Sequence, residues 1–219
     1  MENVMAFLPF MLEGSVMTVK LFAITLVLSL PLGLPFALGS NSRIWPVKIF
    51  CRIYVWIFRG TPLLLQLFFF YFFFPLVLGW QISGFTAAVL TYVLNYAAYF
   101  AEIYRGGINS IDKGQYEAAH ALGLSRRQTM LDIIFPQTMK AILPPVVNEA
   151  ITLVKDTALA STLPIIELMK ATNSAVNRMT SMQPFFYAAV IYLIMTFVLT
   201  LLAGRLEKYF ARYDAKEEW

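Results

Sequence analysis

The stretch VMTVKLFAITLVLSLPLGLPFAL, residues 16–38, decides the fold class, because it is apolar over the full width of a bilayer. A transmembrane helix needs roughly 20 such residues. The whole chain has the same character, since 59% of its 219 residues are hydrophobic and only 14% are charged. Soluble domains are about 45–50% apolar and about 25% charged, so we predict an all-α integral membrane protein.

Four further apolar stretches are long enough to cross a membrane. They cover residues 53–78, 85–103, 144–166 and 185–204. Together with residues 16–38, they predict five transmembrane helices in a single domain that comprises residues 1–219.

The distribution of lysine and arginine predicts how these helices are oriented. Twelve of these residues lie in the loops 39–52 and 104–143 and in the tail after residue 204, whereas the opposite side carries two, Lys170 and Arg178. Cytoplasmic loops carry the excess of positive charge, so we predict that the N-terminus is outside and the C-terminus is cytoplasmic. The net charge of +4 has the same explanation, and we expect the lipid bilayer rather than a nucleic acid as the partner of this charge.

Cysteine and histidine are too scarce for a metal site or an intramolecular disulfide. The chain has one of each, Cys51 and His120, whereas a structural zinc site needs four such ligands. A GxxxxGK[ST] phosphate loop is also missing, so any nucleotide that drives this protein must bind to another chain. We therefore predict no catalytic residue, no metal and no cofactor in this chain.

The loop 104–143 is the most informative cytoplasmic segment, because it is far longer than the connections usual between packed helices. Residues 115–122 predict a short helix, and Gly123 can take the left-handed conformation that ends it. Ser125 and Gln128 have the spacing of a capping box that starts a second helix. Pro136 disfavours the continuation of that second helix.

The short helix presents a face suited to docking. Ala118, Ala121 and Leu122 share this face, and Glu117 and His120 border it. Small residues allow a helix to approach another surface closely, which favours a groove in a partner protein. The alternative is an interfacial helix on lipid headgroups, but the face has few large apolar residues for that role.

Four motifs make the chain resemble a known family. They are Glu117-Ala118-Ala119 followed by Gly123 and Phe135-Pro136, then RGTPL at 59–63, AEIYRGGI at 101–108, and KDTAL at 155–159. The first is similar to the EAA loop of the permease subunits of binding-protein-dependent ABC importers, and the others are similar to the polar amino-acid branch of that family. The resemblance covers nearly the whole chain and departs at Ala158, where many members have serine.

The resemblance implies a fold, a partner set and a coupling site. The implied fold is that of a type I ABC importer permease, in a prokaryotic inner or plasma membrane. The implied partners are two cytoplasmic ATPase subunits that bind ATP and Mg, a second permease that is this chain or a paralogue, and an extracytoplasmic amino-acid-binding protein. The resemblance assigns ATPase contact to Glu117, Ala118, Ala119 and Gly123, and the docking face adds Ala121 and Leu122.

Polar residues within the predicted spans mark a candidate substrate pathway, because ionisable groups in a membrane are costly. Glu149, Thr152 and Asp156 share one face of the fourth span. A zwitterionic amino acid needs an anion for its ammonium and donors for its carboxylate. The complete candidate set is Glu149, Asp156, Asn95, Tyr99, Thr152, Lys155 and Thr157. Purely structural pairing is the alternative, as for Glu102 with Arg105 one turn away.

These observations predict a transport subunit rather than an enzyme. The excess of acidic residues on the fourth span favours arginine, lysine or histidine as the substrate, with glutamine or cystine as alternatives. Import would proceed by alternating access, and Lys170 and Arg178 in the outer loop 167–183 are the candidate contacts for the binding protein. A stand-alone secondary transporter or channel and a non-transporting scaffold remain as rival functions.

Overall fold

The computed structural model describes residues 2–211, and side chains are described for residues 7–208. These residues are helical, with no strand among them. The principal helices are α1 (Glu2–Ser40), α2 (Trp45–Gly60), α3 (Leu63–Val77), α4 (Gly84–Ser110), α5 (Lys113–Ala121), α6 (Arg126–Gln128), α7 (Phe135–Asp156), α8 (Leu168–Met179) and α9 (Gln183–Ala211). The last eight residues, 212–219, include part of the predicted cytoplasmic tail and lie outside the described part.

The core forms around α4, which packs along α1 with unusually close backbones. A Cβ built on Gly33 of α1 would lie 2.9 Å from the Phe100 Cβ and 3.0 Å from the Ala101 amide nitrogen. Ala37, Ala98 and Ala101 continue this seam and are buried. Small residues drive such packing between membrane helices, because they let backbones approach. α4 is therefore the fixed wall against which the polar site is built.

The stretch predicted as one span over residues 53–78 is broken into two helices. α2 ends at Gly60 and α3 begins at Leu63, with a bend of 109° between them. Pro62 has no N–H to continue a helix, and it restricts the preceding Thr61 to an extended backbone, with φ −117° and ψ 146°. The break therefore follows from the Gly-Thr-Pro sequence in the middle of the apolar stretch.

The second helix of the cytoplasmic loop does not end at Pro136, so that expectation is wrong. α6 passes through a π-helical segment, Thr129–Ile134, and continues directly into α7. A π-helical turn is wider than an α-helical turn, and such turns mark kinks where the normal ladder is interrupted. The wider turn accommodates the ring of Pro136, which would clash with a carbonyl four residues earlier in a regular helix.

The stretch predicted as the fourth span, 144–166, also differs from one continuous helix. α7 ends at Asp156, a 3-10 segment follows at Thr157–Thr162, and the backbone is extended at Leu163. The next residue is Pro164, which disfavours a helical conformation at Leu163. The end of α7 consequently lies inside the bundle, beside α4.

The loop 167–183 contains a helix, α8, that the sequence did not predict. Glu167 caps it: the carboxylate accepts hydrogen bonds from the Met169 N–H (2.9 Å) and the Lys170 N–H (2.6 Å). Glu167 is fully buried, and the Tyr192 hydroxyl of α9 also donates to it at 3.3 Å. Burial raises the pKa of Glu167, while these hydrogen bonds act in the opposite direction. This residue ties α8 to α9.

Two helices in the described part are long and apolar enough to cross a membrane by themselves. They cover Phe7–Ser40 and Gln183–Lys208, and the bent pair α2 and α3 makes a third if it is one span. α4 carries many residues buried by other helices, including Thr91 and Asn95, so its polar groups do not need to meet lipid. The count of five spans and the orientation remain predictions.

Candidate substrate cavity and coupling segment

A central cavity of about 170 Å³ lies where α4, α7 and the break between α2 and α3 meet. Its lining residues are Thr61, Leu63, Asn95, Tyr96, Tyr99, Glu149, Thr152 and Asp156. The cavity is smaller than the roughly 300–1,000 Å³ usual for drug-sized ligands, so it suits a small solute. Two carboxyl groups in this small space give it a strongly acidic lining.

Five of the seven predicted substrate residues line the central cavity. They are Asn95, Tyr99, Glu149, Thr152 and Asp156. The other two do not line it. Lys155 is exposed, and Thr157 is fully buried with its hydroxyl donating to the Val154 carbonyl at 2.6 Å. Thr157 begins the 3-10 segment that follows α7, and Lys155 lies on an exposed side of α7.

Two tyrosines of α4 hold the end of α7. The Tyr96 hydroxyl donates to the Asp156 Oδ2 at 2.7 Å, and the Tyr92 hydroxyl donates to the Asp156 backbone carbonyl at 2.6 Å. The carbonyls at a helix C-terminus have no intrahelical partner, so Tyr92 supplies a partner that a membrane interior does not. Asp156 is thus fixed by tyrosines from another helix and not by the neighbouring Lys155.

Side chains also supply hydrogen-bond partners for the backbone groups that the break between α2 and α3 leaves unpaired. The Gln66 side-chain nitrogen donates to the Phe58 carbonyl at 2.9 Å and to the Thr61 Oγ1 at 2.7 Å. The Asn95 side-chain nitrogen donates to the Phe58 carbonyl at 3.0 Å and to the Gln66 Oε1 at 2.9 Å. An amide nitrogen has two N–H groups, so both donors of Asn95 are committed to holding the break.

Two helix ends of opposite polarity border the central cavity. α3 starts at Leu63, and Pro62 at its N-cap offers no side-chain acceptor for the first N–H groups. α7 ends at Asp156 on the other side. A helix N-terminus carries partial positive charge and a C-terminus partial negative charge. The cavity therefore has one end that favours an anion and one that favours a cation.

The sequence did not single out Thr61, Leu63 and Tyr96 as cavity residues. A signal for the first two was present, because discontinuous helices in transporters border their binding sites, and Gly60 and Pro62 interrupt an apolar stretch. Tyr96 lies three residues before Tyr99 and four after Tyr92, so helical spacing of the tyrosines could have revealed it.

A larger charged space, about 630 Å³, adjoins the central cavity, and we call it the vestibule. Its charged lining residues are Arg52, Arg59, Glu102 and Arg105, and Tyr99 lines both spaces. Glu102 accepts a hydrogen bond from the Arg105 Nε at 3.0 Å, which confirms the predicted pairing one turn apart on α4. The Arg59 Nη1 lies 3.9 Å from Glu102, and the Arg59 guanidinium carbon lies 5.3 Å from the centroid of the Tyr99 ring.

The segment 112–128, which we call the coupling segment, is shaped by hydrogen bonds between residues that are close in the sequence. Gly123 has φ +73°, as predicted, and the Gly123 N–H donates to the His120 carbonyl at 3.0 Å. The Leu124 N–H donates to the Ala119 carbonyl at 3.1 Å, which completes a Schellman motif. The predicted capping box is also present, with the Gln128 N–H donating to the Ser125 Oγ at 3.3 Å.

Most predicted ATPase contacts are accessible on the coupling segment. Glu117, Ala118, Ala121 and Gly123 are exposed, and Leu122 is 78% exposed. Ala119 is different, because it is 1% exposed and lies on the side of α5 that packs against the π-helical segment. Ala119 is therefore inaccessible to a partner in this conformation. Consecutive side chains on a helix point about 100° apart, so Glu117, Ala118 and Ala119 cannot all face one partner surface.

The two predicted contacts for a binding protein have different surroundings on α8. Arg178 is exposed near the end of the helix. Lys170 is half-buried, and its Nζ donates to the Ser161 carbonyl at 3.0 Å. Arg178 is thus available to a partner, whereas Lys170 fastens α8 to the segment after α7.

Comparisons with known proteins agree with this fold. The chain matches the family of binding-protein-dependent transport system inner membrane components over residues 29–212. It is 40% identical to the arginine transport system permease protein ArtQ of Bacillus subtilis, over 92% of each protein. It is 38% identical to the putative glutamine transport system permease protein GlnP of Rickettsia felis, over 91% of this chain and 92% of that protein. A crystal structure of an amino acid ABC transporter with histidines has a TM-score of 0.88 and 34% identity, and covers 94% of this chain and 96% of that one.

A helical bundle with a polar cavity between discontinuous helices is the architecture of a membrane transport protein. The chain belongs to the family of binding-protein-dependent transport system inner membrane components, and the similar proteins above are named as amino-acid transport permeases. The resemblance predicted from the motifs is therefore confirmed, as is the all-helical permease fold. Members of this family are multi-pass inner-membrane transport subunits and not catalytic enzymes.

Proposed function

We propose that this chain is the permease subunit of an ATP-driven importer of polar amino acids, with basic amino acids preferred. Two observations support the proposal: the central cavity combines two carboxyl groups with two helix ends of opposite polarity, and similar proteins carry the names of arginine and glutamine transport permeases. The central cavity is the single feature on which the substrate class depends.

The two helix ends are suited to the two charges of a free amino acid. The α-carboxylate would lie at the N-terminus of α3, near Leu63, where unpaired N–H groups and the helix dipole favour an anion. The α-ammonium would lie at Asp156, beside the carbonyl end of α7. Asn95 contributes to this arrangement by holding the break open, since its two N–H groups already have protein acceptors.

Glu149 is the residue that favours a basic side chain. It lines the same cavity as Asp156 and lies two helical turns earlier on α7. An ammonium group occupies one carboxylate, so the second carboxylate is left to pair with a cationic side chain. A neutral substrate would leave Glu149 without a partner in a membrane-embedded site, which is costly.

The proposal includes the partners and the arrangement in the membrane. Five spans with the N-terminus outside would place the coupling segment in the cytoplasm, where it would contact an ATPase subunit through Glu117, Ala118, Ala121, Leu122 and Gly123. Two permeases, two ATPases that bind ATP and Mg, and an outer binding protein would form the importer. Closure of the ATPases would rock the permeases between outward and inward states.

The test is uptake of radiolabelled amino acids into proteoliposomes that hold the permease with its ATPase, with the binding protein outside. We expect arginine, lysine or histidine uptake only with ATP inside. Matched liposomes without ATP are the control. Equal uptake without ATP would support a secondary transporter or channel instead, and ATP-driven uptake of glutamine alone would overturn the basic preference.

A further inference from the structure

We infer that Arg59 is a gate residue that closes the central cavity toward the vestibule. The inference rests on the proposed function, because a gate has meaning only if solute passes from the cavity to the cytoplasm. Tyr99 is the lining residue that the two spaces share. The Arg59 guanidinium carbon lies 5.3 Å from the centroid of the Tyr99 ring, so this pair stands at the junction of the two spaces.

Arg59 is held at the junction from two sides, by weak interactions. A guanidinium over an aromatic face is attracted by the ring quadrupole. On the other side, Arg59 Nη1 and Glu102 Oε1 are 3.9 Å apart, while Arg105 takes the shorter bonds to the same carboxylate. The Arg59 side chain is 41% exposed, and ion pairs with such exposure contribute little to stability. The Arg59 side chain therefore occupies the closed position but can leave it at a small cost in free energy.

The fold provides a way to move this side chain. Arg59 is the penultimate residue of α2, directly before the 109° break at Gly60-Thr61-Pro62. Its partners Tyr99 and Glu102 lie on α4, which is the most buried helix of the bundle. Gln66 and Asn95 hold the Phe58 carbonyl, so the backbone beside Arg59 is fixed, and a change of rotamer is what would carry the Arg59 guanidinium away from both partners. The break thus holds the Arg59 backbone beside the cavity while its exposed side chain is free to move.

The positive charge of the vestibule adds an electrostatic barrier to the steric one. Three guanidinium groups, from Arg52, Arg59 and Arg105, face one carboxylate, Glu102. The excess of positive charge lowers the local concentration of cationic amino acids at this mouth. A closed Arg59 therefore adds both a steric and an electrostatic barrier to the passage of a basic substrate between the cavity and the vestibule.

The test measures access to the cavity in the resting complex without measuring transport. Thr152→Cys in a Cys51→Ser background places one thiol in the cavity, and a membrane-impermeant maleimide is added to inside-out vesicles that hold the complex. Arg59→Ala should raise the labelling rate about tenfold, the effect expected from losing one cation–π contact and one exposed ion pair. Arg59→Met, which keeps the length of the side chain, serves if Arg59→Ala does not assemble.

Arg52→Ala is the matched control, because Arg52 lines the same vestibule while Glu102 forms its ion pairs in the described part with Arg59 and Arg105. Equal labelling of the Thr152→Cys, Cys51→Ser protein and of both Arg59 variants made in it would overturn the gate, as would an equal rise with Arg52→Ala. ATP-driven uptake of amino acids by the complex without substitutions is measured in parallel. Uptake without a labelling change rejects the gate alone, whereas a labelling change without uptake of any amino acid rejects the proposed function alone.

Discussion

The central cavity and the coupling segment are built in opposite ways. The coupling segment is shaped by hydrogen bonds within residues 112–128, from the Asp112 cap to the capping box at Gln128. The cavity joins residues from Thr61 to Asp156, and other helices hold its broken ends. The exposed residues of a locally built segment can be altered with little disturbance elsewhere, whereas a cavity built from helix ends depends on the whole bundle. Substitutions in the two regions should therefore affect different steps of transport.

The largest effect is expected at the carboxylate between the helix ends. Asp156→Asn removes the charge that would receive the ammonium, and a hydrogen bond to a charged group is worth about 1.5–3 kcal/mol, so the apparent KM for arginine should rise about 10- to 150-fold. Uptake kinetics in proteoliposomes measure this change. Lys155→Gln is the control, because Lys155 is exposed and lies outside the cavity. A similar loss in that control would contradict the description of the cavity.

A smaller and selective effect is expected at the second carboxylate. Glu149→Gln should weaken arginine about tenfold, with little change for glutamine, because one charged hydrogen bond is lost with the cationic substrate alone. Competition against labelled uptake gives the ratio directly. Glu13→Gln is the control, since Glu13 is an exposed carboxylate on α1. If arginine and glutamine weakened equally, the basic preference would have no support from Glu149.

At the coupling segment, the expected loss is in assembly and not in substrate affinity. Gly123→Ala forces an L-residue into φ +73°, which costs roughly 1–2 kcal/mol and should weaken ATPase binding about tenfold. Gly106→Ala is the matched control, because a Cβ there also meets no atom within 4 Å but the backbone has no positive φ. Co-purification and a binding titration provide the measurement. Normal assembly of Gly123→Ala would show that the angle of α5 is unimportant.

The smallest effects are expected for substitutions on α5, where exposed and buried positions should affect different properties. Leu122→Ser should weaken ATPase binding a few-fold and leave the stability of the isolated permease within about 0.5 kcal/mol, because Leu122 is 78% exposed. Ala119→Leu should lower the thermal midpoint instead, since overpacking a filled site costs about 1–3 kcal/mol. Thermal unfolding in detergent distinguishes the two. Equal destabilisation by both would mean that α5 is oriented differently.

The same contrast explains what the sequence could predict. Gly123, Ser125 and Gln128 act on atoms a few residues away, so their spacing was sufficient to predict both caps. Asp156 and Glu149 were identified by the cost of charge in a membrane, although their neighbours Lys155 and Thr157 were wrongly placed in the cavity. Thr157 begins the 3-10 segment after α7 and is buried, whereas Lys155 lies on an exposed side of α7, and the sequence does not show which side of α7 other helices cover. Hydrophobicity alone gives one continuous span over residues 53–78, because both sides of the break are apolar, whereas Gly60 and Pro62 themselves indicate that the helix is interrupted.

The most direct measurement of the central claim is an experimental structure of the reconstituted complex with arginine bound. We predict the substrate in the central cavity, with its carboxylate oxygens about 3 Å from the first N–H groups of α3, its ammonium at Asp156 and its guanidinium at Glu149. Arginine bound in the vestibule, or in the cavity with its carboxylate facing Asp156, would contradict the account.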